Sequence, residues 1–199
     1  DVENVDDKVL EKFHCCTKKL KDNFACLGPR YINIPSETLT QTIGDKEIDT
    51  LPSISGASMF FNKDKFDSIN GFDDKFFLYF EETDYCYRAQ DKGLYSYQIN
   101  SIKLNHYVGT SIDFENDAER KKIKELYSWH FIWSKFYFYK KRYGFSLALI
   151  NFIPLLFRTI FKIVIFKVFR NKIKERKYRI RLEGLVASIK GLQSNKRID

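Results

Sequence analysis

The sequence predicts a mixed α/β domain followed by a mostly helical, basic and amphipathic tail, and three observations carry that expectation. Strand-length apolar runs alternate with helical periodicities up to residue 118. Charge divides sharply: residues 1–118 hold 13 Lys/Arg against 21 Asp/Glu, whereas residues 119–199 hold 21 against 5. Long charge-poor stretches rich in Phe, Tyr, Trp and Ile occur only in the second part. The expected division is therefore 1–118 for an acidic α/β domain and 119–199 for a tail that suits a negatively charged partner. With 199 residues, the chain can bury one domain core plus an appendage.

In order along the chain, Asp6 to Lys21 sets Val9, Leu10, Phe13, Cys16, Thr17 and Leu20 at helical spacing, with acids in front and lysines behind. Phe24 to Pro29 reads as a short buried strand closed by turn residues. Ile34 to Leu51 is polar and aperiodic, so a loop is expected. Ser55 to Phe61 reads as a strand, and Lys63 to Ile69 as a short helix stopped at Asn70-Gly71. A further helix is expected from Glu81 to Lys92, closed by Gly93, then two strands, Tyr95–Ile99 and Ile102–His106.

Beyond Asp117, residues 119–143 form an aromatic helix ending in Lys140-Lys141-Arg142-Tyr143-Gly144. Phe145 to Phe157 then runs without a charge, after which Arg158, Lys162, Lys167 and Arg170 interrupt the apolar sequence. A membrane span needs about 20 mostly apolar residues. The shorter uncharged run predicts a helix lying in the membrane interface, its basic side toward headgroups, with the Lys/Arg cluster Arg170 to Arg181 adding attraction to anionic lipid. Packing on the domain's own core is the plainer alternative for such a helix. The number of apolar residues favours the membrane, and the long apolar run argues against a nucleic-acid partner.

Cys15, Cys16, Cys26 and Cys86 lack the two-to-four-residue gaps of a structural zinc site and read as reduced residues of a cytosolic protein. The opening Asp1-Val2-Glu3 has neither a leader nor an initiator methionine, which predicts a fragment or processed product.

The most informative stretch is Gly71 to Arg88, in which an aromatic segment ends in paired carboxylates at the start of a helix. On their own, Glu81 and Glu82 read as first-turn acids favoured by the helix dipole, worth about 0.3–1 kcal/mol each. Asp84 and Arg88, at i and i+4, read as a supporting ion pair. Asp73 and Asp74 read as solvated turn residues, Gly56 as a possible bulge, and a lone His106 as a hydrogen-bonded structural residue.

Taken in order, however, Gly56-Ala57-Ser58-Met59, then Asn70 to Arg88, then His106 with Gly109-Thr110-Ser111, resembles the second half of a family 2 glycosyltransferase of the bacterial rhamnosyltransferase-like branch. Several independent elements recur in the family's order over about fifty residues, which is far more specific than a lone glycine motif. The resemblance implies the C-terminal half of a GT-A fold, a Rossmann-like α/β unit whose nucleotide-binding half would precede Asp1. It implies inverting transfer of a sugar, rhamnose in that branch, from a nucleotide-sugar donor to a lipid-linked or polysaccharide acceptor at the cytoplasmic face of the bacterial membrane. Such chemistry needs a base for the acceptor hydroxyl and a divalent metal, Mn or Mg, for the departing diphosphate. Glu82 matches the base position, where the family usually carries Asp; either the acceptor sits differently or Glu81 shares the task. Gly56, Ala57, Asp73 and Asp74 match the acceptor side. Asp1, followed by Val2, matches the end of the metal motif, and His106 the second metal ligand. A catalytically incomplete remnant acting as a membrane-surface binding module is the alternative expectation.

Overall fold

The computed structural model of the chain describes residues 2, 3, 5–34, 41, 46–107 and 116–197. These form a five-stranded mixed sheet with one parallel pair, followed by a C-terminal three-helix region. The chain divides into two compact units, Asp1–Asp73 with Glu82–Asp113, and Asp74–Glu81 with Phe114–Asp199.

In the first unit, helix α1 (Asp7–Lys19) starts where the Asp6 carboxylate accepts from the Val9 amide at 2.9 Å, and it ends in Lys18 and Lys19. Both ends therefore complement its dipole. Strand β2 (Cys26–Tyr31) runs parallel to the long β5 (Ser96–His106). Strands β1 (Val2–Glu3) and β3 (Ile48–Leu51) pair antiparallel with β5, and β4 (Phe60–Phe61) pairs antiparallel with β2. Alternation along β2 sends Leu27 to a core with Val9, Phe13 and Cys16 of α1. Cys26 points the other way, into a core with Ile54 and with Tyr85, Cys86 and Ala89 of α3 (Glu81–Gln90). Helix α2 (Lys63–Ser68) is capped by Asn62, whose side chain accepts from the Lys65 amide.

Three expectations change here. Tyr95–Ile99 and Ile102–His106 are one strand, and the irregularity lies in its pairing, where register jumps from Pro29↔Ile99 to Arg30↔Lys103. Pro29 has no N–H to donate, so the ladder breaks beside it, and the Asn100 amide donates to Glu47 O at 2.9 Å instead. Residues 34–51 end in β3 rather than remaining loop throughout. Ile48 packs against one core and Leu51 belongs to the other, a two-sided burial that leaves no simple apolar alternation to read. The strand expected from Ser55 narrows to Phe60–Phe61, because the chain turns around Gly56 and Ala57.

The second unit holds α4 (Asp117–Tyr143), α5 (Phe145–Val168) and α6 (Lys172–Ile189). Asn116 and Asn171 cap α4 and α6 by accepting from the Glu119 and Lys174 amides at 2.9 and 3.0 Å. Only Gly144, at φ +84°, separates α4 from α5. Ile132, Phe136, Ala148, Phe152 and Leu185 form a core shared by the three helices, and Trp129, Trp133, Ile180 and Ala187 form one between α4 and α6. Helix α5 runs through Arg158, Lys162 and Lys167 to Val168, and its 24 residues are long and apolar enough to cross a membrane, a length that the uncharged run alone does not reach. One face, with Ala148, Phe152, Thr159 and Ile163, is buried, while Leu147, Ile150, Phe157, Phe161, Val164 and Val168 recur three to seven residues apart on the exposed face.

Helices α4 and α6 approach closely at Gly184, where an added Cβ would stand 2.5 Å from the Trp129 carbonyl oxygen. Gly184→Ala is therefore expected to destabilise the three-helix unit by about 1–3 kcal/mol. In an open helix the same change would gain about 1 kcal/mol. Thermal unfolding followed by circular dichroism distinguishes the two signs.

Candidate active site

Helix α2 ends with Asn70 at φ +62° and Gly71 at φ +54°, and the Gly71 amide returns to Phe66 O at 3.0 Å. Gly71 is needed for a second reason, since a Cβ there would meet Phe66 Cε1 at 2.8 Å. Phe72 then joins Phe61, Phe66 and Tyr85 in a cluster of four rings. The Tyr85 hydroxyl donates to Ala25 O at 3.1 Å, which ties α3 to the start of β2.

Arg88 locks this arrangement. Its Nε donates to Asp84 Oδ2 at 2.7 Å, while one terminal nitrogen donates to Ile69 O at 2.6 Å and the other to Gly71 O. Asp84 is only 3% exposed. A planar guanidinium thus joins a buried carboxylate to the carbonyls that end α2, a geometry lysine cannot reproduce. Asp84 and Arg88 are structural in this arrangement.

Glu82 stands in the first turn of α3, where Thr83 Oγ1 donates to its Oε1 at 3.2 Å. Its stem passes Gly56, at which an added Cβ would lie 3.8 Å from Glu82 Cγ. Glu82 and Gly56 are therefore neighbours. The Ala57 side chain instead packs against the sheet core, and its amide donates to Ser55 Oγ at 3.4 Å. Asp73 closes one segment of the first unit, whereas Asp74, exposed, opens a segment of the second.

Glu81 has a different environment. Tyr79 and Phe80, just before it, adopt φ +67° and +71°, which costs of order 1–3 kcal/mol per residue without glycine. The second unit holds them there: Ser134 Oγ donates to Leu78 O at 2.7 Å, Tyr79 meets Phe131 and Phe80 meets Phe138. Glu81 Oε2 is buried without a hydrogen-bond partner, and burial pushes its carboxyl above the ordinary value.

His106, the expected metal ligand on β5, is buried and tilted against Tyr31, with ring centroids 5.2 Å apart. Asn33 grips its backbone from both sides, accepting from His106 N–H at 2.9 Å and donating to His106 O at 3.1 Å. Burial lowers the imidazole pKa, favouring the neutral form that ligates metals. Asp1 lies outside the described residues, as do Gly109, Thr110 and Ser111; Val2 stands directly opposite His106 in the β1–β5 ladder. Among the described residues no three His, Cys, Asp or Glu side chains gather into a metal-holding group.

Compared with family models, curated proteins and solved structures, the chain matches none. The role of Asn33 leaves no trace in sequence, because a side chain that bonds a distant backbone has no fixed spacing. His130 is fully buried and bonds the C-terminal segment through Ser194 Oγ at 2.8 Å and Lys196 O at 3.0 Å.

The Glu81 carboxyl makes a testable contribution. A folded-state pKa raised above the unfolded value leaves stability intact below the unfolded pKa and removes it as pH rises through the folded one. Glu81→Gln is therefore expected to raise the melting temperature at pH 7, with the gain shrinking as pH falls into the carboxylate range. Melting curves from pH 4 to pH 7 check both parts.

Proposed function

We propose that this chain is the acceptor-side part of an inverting family 2 glycosyltransferase of GT-A fold, with Glu82 as the base. The observation that carries the reading is Glu82 itself, a carboxylate in the first turn of a helix anchored by Arg88, beside the small Gly56. In the proposed step, Glu82 removes the proton of an acceptor hydroxyl as that oxygen attacks the anomeric carbon, and the nucleotide diphosphate leaves from the opposite face. Gly56 and Asp73 border the acceptor. His106 and Asp1 would hold a divalent metal, Mn or Mg, which when bound supplies charge neutralisation for the diphosphate.

The donor is a nucleotide sugar, dTDP-rhamnose by the family resemblance, and the acceptor a lipid-linked or polysaccharide chain. The exposed apolar face of α5 supports a place on the membrane. Along its other side pack α4 and α6, and α6 carries Lys172, Lys174, Arg176, Lys177, Arg179 and Arg181. A transverse α5 would draw such charges toward hydrocarbon, at about 2.5–3.5 kcal/mol each on insertion scales, whereas a helix in the interfacial plane leaves them among headgroups. We therefore propose a peripheral protein at the cytoplasmic face. The same exposed face favours the second reading, a membrane-surface binding module without catalysis.

The deciding experiment compares wild type and Glu82→Gln, each with the upstream half present, for sugar transfer and for donor binding. The proposal expects transfer to fall by about 10²–10⁴-fold with donor binding kept. Undiminished transfer overturns the base assignment, and absence of donor binding in wild type favours the second reading.

A further inference from the structure

The second unit contains a cavity of about 620 Å³, enclosed by residues 74–77, α4 and the segment that follows α6. That volume lies within the range of about 300–1,000 Å³ that small-molecule sites occupy. Its chemistry has two parts. Buried Trp133 backs the half-buried Tyr137 ring, the two stacked with centroids 5.1 Å apart and an interplanar angle of 28°, and the Arg197 guanidinium lies 3.9 Å from the centre of the Phe77 ring. Lys75, Lys140 and Arg197 bring three positive charges to the lining against the single carboxylate of Asp74.

The walls are pinned before any ligand arrives. Trp133 Nε1 donates to Leu192 O at 2.9 Å, and Ser188 Oγ donates to Trp133 O at 2.9 Å. His130 secures the far end of the segment. Because Lys196 O can only accept, Nε2 of His130 carries the proton and Nδ1 accepts from the Ser194 hydroxyl. Burial lowers the His130 pKa and so favours this neutral form. Fixed walls reduce the ordering cost of binding.

We infer that this cavity binds a saccharide bearing an anionic group, a sugar phosphate in the first instance. The half-buried Tyr137 ring offers a face to the C–H side of a pyranose, the Asp74 carboxylate and the Gln193 and Asn195 amides reach its hydroxyls, and Lys140 with Arg197 receives the phosphate. A neutral sugar would use only the ring and the amides, and a bare phosphate only Lys140 and Arg197. This preference does not rest on the glycosyltransferase reading above.

The probe is glucose 1-phosphate, with glucose and inorganic phosphate as separate arms, titrated into the whole chain in detergent. The two tryptophans are Trp129 and Trp133, so Trp129→Phe leaves the cavity residue as the sole tryptophan, excited selectively over tyrosine at the red edge of absorption. A saturable change in Trp133 emission is expected with glucose 1-phosphate, at a concentration at least tenfold below that needed for either arm. The double change Lys140→Ala with Arg197→Ala should weaken it at least tenfold; Arg197 is exposed and Lys140 only half-buried, so folding is preserved. No saturable change, or equal affinity in the double variant, overturns the site, and an equal response to inorganic phosphate overturns its saccharide character. Binding here alongside undiminished transfer by Glu82→Gln would keep the site and reject the base; the reverse outcome would do the opposite.

Discussion

Arg88 makes the contacts on which the rest of the candidate site depends. Its guanidinium meets one buried carboxylate on its own helix and two main-chain carbonyls that α2 leaves open at its end. Those carbonyls must find donors, because a buried backbone oxygen without one costs free energy comparable to a lost hydrogen bond. Desolvating Asp84 is tolerable only with a cation in register, and removing one member of such a pair typically costs about 3–5 kcal/mol. The result is a turn, Asn70-Gly71-Phe72, fastened to the helix that begins at Glu81 and Glu82. Four aromatic rings fill the space behind it.

A second set of contacts governs the residues just before that helix. Tyr79 and Phe80 occupy a backbone region normally left to glycine, and the second unit compensates with the Ser134 hydrogen bond and with ring contacts from α4. Strain of this kind persists only where the surroundings over-determine the conformation. The aromatic residues that make the 71–88 segment conspicuous therefore serve largely to hold its shape. Glu81 closes the 74–81 segment of the second unit, and burial raises the pKa of its carboxyl.

Local rules made much of the fold legible. Asp6 before an amphipathic stretch and Asn70-Gly71 after one mark helix ends through capping chemistry that acts within four residues. Asp84 and Arg88 were readable as an ion pair for the same reason. What escaped depends on distant partners. β5 was divided in two because its irregularity belongs to the pairing with Pro29, and β3 stayed hidden because Ile48 and Leu51 are buried on opposite sides. The cavity beside Trp133 escaped entirely, since it joins residues 74–77 to residues 188–197. The spanning length of α5 is not legible from a count of uncharged residues, which stops at Arg158 although the helix continues to Val168.

The central claim is that the three-way grip of Arg88 holds the Gly71 turn on α3. Hydrogen–deuterium exchange on Arg88→Lys tests it most directly, since lysine keeps the charge but cannot serve three acceptors in one plane. The account predicts faster exchange confined to residues 66–90, with α4 and α6 unchanged. Exchange over residues 66–90 identical to the wild-type protein would contradict it.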